Sequence, residues 1–369
     1  MRWLGFTLLA AGCVAAACWG PAQLWPTTAA PDGVYGRAGD GPSGLALLSA
    51  QAEKGALQAD VPRPASAASP PSPASPPVTA VAEPFLPEVA EAACTTLLPR
   101  LPGLSRAQCV ATRLQASGAL SRQGAPLYWR DVPSHAGAAA KGQPDAEPLR
   151  VLVVGAMHGD ELTAASLALR WIGMAAAEGA VDADEPAPVH WRFIPVLNPD
   201  GLLAPKPTRV NAGGVDLNRN FPTPGWAEEA PVYWEKRTRK DPRRWPGHTP
   251  LSEPESRFLH QQMDQFQPQL VVSIHAPYGV LDFDGPHDPP LRLGRLRMDK
   301  LGVFPGSLGH YGGLHRGVPV VTIELEHALR MPPDAEVRAM WRDLRHWMNT
   351  RLLDGADAVA GVKPPGLRR

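Results

Sequence analysis

From residue 149 onward the chain alternates short apolar runs with longer helical ones. Leu149–Ala156, His190–Leu197, Leu270–His275 and Val318–Leu325 read as strands, and Glu161–Ala176, Glu253–Phe266 and Ala335–Leu353 as helices. Ser252, or the Ser-Glu-Pro-Glu start, is the expected cap of the second helix. Runs as continuous as Leu152-Val-Val154 and Leu270-Val-Val272 leave no polar face for water, so both faces of their sheet must be covered. The expected fold is therefore α/β, a mixed central sheet flanked by helices on both faces. In such sheets ligands sit beyond the carboxyl ends of the strands, so the residues that end the runs are the ones to inspect.

The first 147 residues follow other rules. Proline is 43 of 369 residues. It is dense in Pro62–Pro77, where missing donors and a fixed φ exclude helix and sheet. Residues 26–87 are accordingly read as a linker. Residues 1–25 read as a signal peptide or N-terminal anchor: Met1-Arg2, then an uncharged apolar run from Trp3 to Trp19, short for a span of about 20 residues. Retention as an anchor and lipidation at Cys13 both stay open. Residues 88–147 are expected to form a small helical pre-domain and connector. Its helices are Glu88–Leu98 and Ser105–Ser117, with Ser105 as a cap, and a strand at Pro126–Asp131 leads on. This leaves 148–355 for the α/β domain and 356–369 as a tail. Beyond Cys13 and Cys18 the only cysteines are Cys94 and Cys109. In an oxidising compartment one pair reads most simply as one disulfide, and the expected location is the periplasm or cell envelope. Lys plus Arg equals Asp plus Glu, 36 each, which excludes binding of nucleic acid through bulk charge. No Gly-rich phosphate loop follows a strand. A basic stretch at Lys236–Lys240, Arg243 and Arg244, with Tyr233, Trp234 and Trp245 interleaved, reads either as a solvated loop or as a surface for acidic peptide or glycan. A monomer or weak dimer is expected.

The polar residues at the run ends form a pattern. His158 and Glu161 stand three apart where the first strand turns into its helix, offering a nitrogen and an oxygen suited to Zn²⁺. Alone, the pair reads equally as a helix start with a surface histidine. His275 ends another strand at the same rim and would be a third ligand. Three protein ligands and one open position are what a catalytic zinc requires. Glu324 and Glu326 lie in or beside an apolar strand, where a carboxylate is costly unless paired or working; periodicity does not choose between them. Between these runs lie Arg209, Asp216, Asn218 and Arg219. The arginines offer planar forks for a carboxylate, and Asp216 is a candidate to orient a ligating histidine.

Taken in order, His158-Gly-Asp-Glu161, Asn198-Pro-Asp-Gly201, Asp216-Leu-Asn218-Arg219-Asn220-Phe-Pro222, a strand ending in His275, and Thr322-Ile-Glu324-Leu resemble the zinc carboxypeptidase family. The likeness spans about residues 149–350 and is nearest to the family's small bacterial branch of murein peptide amidases, a branch that Phe304-Pro-Gly-Ser-Leu-Gly309 also resembles. The resemblance implies one zinc ion held by His158, Glu161 and His275, with Glu324 as general base and Asp216 orienting the first histidine. It implies Arg209 on the scissile carbonyl, and Asn218 with Arg219 on the substrate's terminal carboxylate. The family's substrate-covering tyrosine has no match, although Tyr311 is nearby. The substrate class implied is a muropeptide, cut at a γ-D-glutamyl–diaminopimelate bond. The alternatives are an N-acyl amino acid deacylase of the aspartoacylase or succinylglutamate desuccinylase type, and an envelope-binding module without catalysis.

Overall fold

The computed structural model describes residues 86–134, 147–178 and 188–352. The expected signal, linker and tail, with Cys13 and Cys18, lie outside the described residues. The first elements among the described residues are α1 (Pro87–Leu97) and a six-residue α2 (Arg106–Ala111). Ser105 caps α2 in a reciprocal capping box with Gln108. Next come β1 (Gln115–Leu120), β2 (Pro126–Val132), β3 (Leu149–Val154), α3 (Leu162–Glu178), β4 (Val189–Ile194) and α4 (Pro199–Leu203). They are followed by α5 (Trp226–Val232), α6 (Pro254–Phe266), β5 (Leu270–His275), β6 (Val280–Asp284), a short hairpin of β7 (Arg292–Leu293) and β8 (Leu296–Arg297), β9 (Val320–Glu324) and α7 (Asp334–Trp347).

Among the described residues seven strands form one sheet in the order β1-β2-β4-β3-β5-β9-β6. The four central strands are parallel, and antiparallel strands close both sides. Successive side chains on a strand point to opposite faces, and both faces are dry. Val151 and Val153 of β3 join the cluster formed with Leu167, Trp171 and Ile172 of α3 and Met340, Trp341 and Leu344 of α7. Leu152 and Val154 join the opposite cluster, with Phe258, Leu259 and Met263 of α6. The mixed sheet with helices on both faces is thus the observed architecture.

Three expectations are corrected. Residues 88–147 do not stand apart as a helical pre-domain: β2 pairs with β4 and brings β1 into the main sheet. The helix expected through Ser117 stops at Ala111, where Arg113 takes φ 56° and turns the chain into β1. Sheet pairing overrides the local helical preference there. The N-cap of α6 is Glu253, and neither it nor Ser252 gives a side-chain cap bond. Glu253 instead pairs with Arg122 and accepts from Asn211. The disulfide joins Cys94 to Cys109 and so ties α1 to α2.

Candidate metal centre

The parallel strands all end at one rim, and three of them deliver the polar residues. The turn after β3 carries His158 and Glu161, β5 ends in His275, and β9 ends in Glu324, the register partner of His275. Glu326 lies beyond the strand and is exposed, so of the two candidates Glu324 is the buried one. His158, Glu161 and His275 are all buried, and each presents a ligating atom within 4.8 Å of the others.

The donor set fits a zinc ion. His158 Nε2 lies 3.1 Å from Asp216 Oδ1. Asp216 can only accept, so the imidazole proton sits on Nε2 and Nδ1 turns a lone pair inward. Ser273 Oγ holds His275 Nε2 at 2.9 Å and directs its Nδ1 inward too. The two Nδ1 atoms lie 3.1 Å apart, with Glu161 oxygens 2.8 Å and 3.0 Å from them. Facing lone pairs and a carboxylate repel unless a cation sits among them, and two nitrogens with a carboxylate suit Zn²⁺. Burial opposes the charge of Glu161, but the two histidines hold its carboxyl well below the usual range.

Asp216 is fully buried and saturated. Arg209 Nε and Nη2 donate to its Oδ2 at 3.1 Å and 3.0 Å, and the Asn218 amide donates to Oδ1 at 3.0 Å. Burial alone would raise its pKa; Arg209 and His158 outweigh that and hold it well below the carboxylate range. Arg209 Nη1 reaches 3.2 Å from His158 Nδ1 and 3.6 Å from Glu161 Oε1, so this guanidinium borders the ligand cluster. Glu324 is in the opposite condition. Its Oε2 is buried without a partner. Burial, then the charge of Glu161, pushes its pKa up to about 8. Such a group exchanges a proton near neutrality.

Arg219 is buried, and its ring-side neighbour is Phe304, whose centroid lies 4.5 Å from Cζ. Asn218 Oδ1 accepts from the Leu308 amide at 2.8 Å, and no described residue accepts from its Nδ2. Tyr311 is not a cover for the site: it is 2% exposed, stacks on Phe221, and its hydroxyl accepts from Arg316 at 2.9 Å. The aromatic that does border the rim is Tyr278, 59% exposed and three residues after His275; its backbone amide comes near enough to Glu324 to favour the charged carboxylate. Its signal in the sequence was an aromatic placed directly after Ala276-Pro277 at a strand end. Arg243, from the basic stretch, pairs at 2.8 Å with Asp160, which lies between His158 and Glu161 in the β3 turn.

This rim, with a His-x-x-Glu turn, a strand-end histidine and a buried carboxylate in register with it, is that of a metallohydrolase of the carboxypeptidase type. The zinc carboxypeptidase family matches residues 111–284, and the chain belongs to that family. Within it, the chain is similar to murein peptide amidase A. The protein of that name from Vibrio campbellii is 32% identical over 193 residues, 48% of this chain and 69% of the relative. That from Escherichia coli K12 is 34% identical over 164 residues, 43% of this chain and 57% of the relative. The chain thus spans little more than half the length of the latter. The crystal structure of thrombin activatable fibrinolysis inhibitor shares the fold, with TM-score 0.50, 16% identity, and 73% and 72% of the two chains covered.

Proposed function

We propose that the chain is a zinc-dependent hydrolase of an amide bond beside a free carboxylate, acting on peptidoglycan peptides and preferring the γ-D-glutamyl–diaminopimelate bond. The observation that carries the reading is the buried Glu324, with its unpartnered oxygen, in register with His275. His158, Glu161 and His275 would hold a zinc ion, which when bound would supply Lewis-acid polarisation of a carbonyl and of water. Glu324 takes the proton from the attacking water and passes it to the leaving amine. Arg209 borders the ligand cluster and directs positive charge at the oxyanion that develops there. Arg219 and Asn218 hold the free carboxylate of the leaving residue and so fix which bond meets Glu324. Asp216 keeps the tautomer and orientation of His158.

The substrate class rests on likeness to the murein peptide amidases, and the site on the cell envelope rests on the N-terminal apolar run and the Cys94–Cys109 bridge. Mass spectrometry of products from a panel of muropeptides, run beside an N-acyl amino acid, tests the reading. Release of a diaminopimelate-bearing fragment with a free amine is expected. Cleavage of the N-acyl amino acid alone would replace this reading with a deacylase.

A further inference from the structure

A guanidinium only 5% exposed ordinarily answers a carboxylate, because an uncompensated buried charge is costly. Arg219 contacts none: the acid whose charge reaches it, Asp216, is already taken by Arg209 and His158. Among the described residues no acid forms an ion pair with it, Nη1 donates to the Asn218 carbonyl at 2.6 Å, and Nε is buried without a partner. Burial lowers its pKa, and the charge of Asp216 offsets this only in part. Phe304 presents its ring face to the guanidinium instead, its centroid 4.5 Å from Cζ. Tyr233 meets that ring edge to face, with centroids 5.8 Å apart and planes at 66°. An aromatic face attracts a cation through its quadrupole and consumes no N–H in doing so. A carboxylate there would hold the charge more firmly, but it would occupy the fork needed for two-pronged recognition of another carboxylate.

The turn that carries Phe304 is held on its C-terminal side. Gly306 lies against the Arg219 carbonyl so closely that a Cβ would sit 2.0 Å from it, and the Gly306 carbonyl accepts from the Phe221 amide at 3.0 Å. Two residues on, the Leu308 amide occupies Asn218 Oδ1 and leaves the Nδ2 donors unclaimed. One short segment therefore sets the orientation of both anion-binding side chains.

We infer that Phe304 is a positioning residue for Arg219: its ring stands in for a counter-ion and keeps the guanidinium donors available to the peptide's free carboxylate. The inference rests on Arg219 being the carboxylate anchor of the proposed reaction. The test is steady-state kinetics on the zinc-loaded full chain with two substrates, a peptide ending in a free carboxylate and the same peptide amidated. Phe304→Met keeps the bulk and removes the π face. It is expected to raise KM for the acid about 5- to 30-fold, with kcat changed less than about twofold, and to lower the preference for acid over amide by the same factor. Phe304→Tyr, which keeps the ring, is expected to restore the wild-type values. Phe304→Leu serves as a second ring-free variant, and the melting midpoint of each variant is read alongside. Wild-type KM in a folded ring-free variant, or equal loss in the Tyr and Met variants, overturns the inference while the hydrolase reading stands. Equal treatment of acid and amide by the wild type would remove the carboxylate anchor itself, and the inference with it.

Discussion

A buried carboxylate that accepts from a guanidinium fork, an imidazole and a backbone amide has no freedom left to rotate. Asp216 is in that position, and the orientation of His158 depends on it. Asp216→Asn offers an NH₂ or a weaker acceptor to the same imidazole and disturbs the inward-facing Nδ1. Zinc affinity is expected to fall about 10- to 100-fold, read by competition with a chelating dye. Glu324→Gln probes the other kind of residue. It preserves size and leaves the three ligands untouched, so metal content should equal wild type while turnover drops about 10²- to 10⁴-fold. Hydrolysis retained at the wild-type rate would remove Glu324 from the role of base. The two variants separate holding the ion from moving the proton.

At the scale of elements, the turn after β3 has the least room to change. A Cβ on Gly159 would lie 2.2 Å from the Gly201 carbonyl carbon and 2.3 Å from the Leu202 nitrogen, both backbone atoms of α4. Gly159→Ala must push the ligand turn away from α4. It should cost about 1–3 kcal/mol in chemical denaturation and reduce bound zinc below one per chain. On β6, burial and then the neighbouring Asp282 push the carboxyl of Asp284 from an ordinary value near 3.8 up to about 6. Between these values the folded chain holds a proton that the unfolded chain has lost. The contribution is therefore most favourable below the lower value and declines as pH rises through about 6. Partial exposure screens the effect to about 1 kcal/mol. Asp284→Asn should remove that slope, seen as the difference between variant and wild-type urea midpoints at the two ends of the window. The acids of β6 also explain what was hard to read in the sequence. The central strands were legible because they are largely dry on both faces, and two of them end abruptly in His275 and Glu324. The antiparallel strands β1 and β6 were not: Gln115–Leu120 alternates half-buried with exposed, and Val280–Asp284 carries two carboxylates. Of the site, His158, Glu161 and His275 stood out at the run ends, whereas Glu324 was separated from Glu326 by the family resemblance and not by periodicity. The roles of Phe304 and Tyr278 depend on which ring or backbone amide comes near Arg219 or Glu324, which spacing does not encode.

For the molecule as a whole, the Cys94–Cys109 bridge pins a segment whose Ala93 and Leu97 pack on the α3 side of the sheet, whereas the ligands sit at the strand ends. Replacing both cysteines by alanine should lower stability by about 3 kcal/mol, as expected for closing a loop of this length, with zinc stoichiometry unchanged. Equilibrium unfolding with metal analysis on the folded fraction checks both halves of that statement. The strand order has a further consequence, for the time course of folding. β5 lies between β3 and β9, so it is not paired on both edges until Val320–Glu324 has been synthesised, and until then it offers a bare edge with apolar residues on both faces. Such an edge readily recruits strands from other chains, and contacts this distant in sequence form slowly. The ligands thus meet a complete sheet only after nearly the whole chain is available, so a nascent chain that stalls before β9 is an aggregation hazard and has no working site.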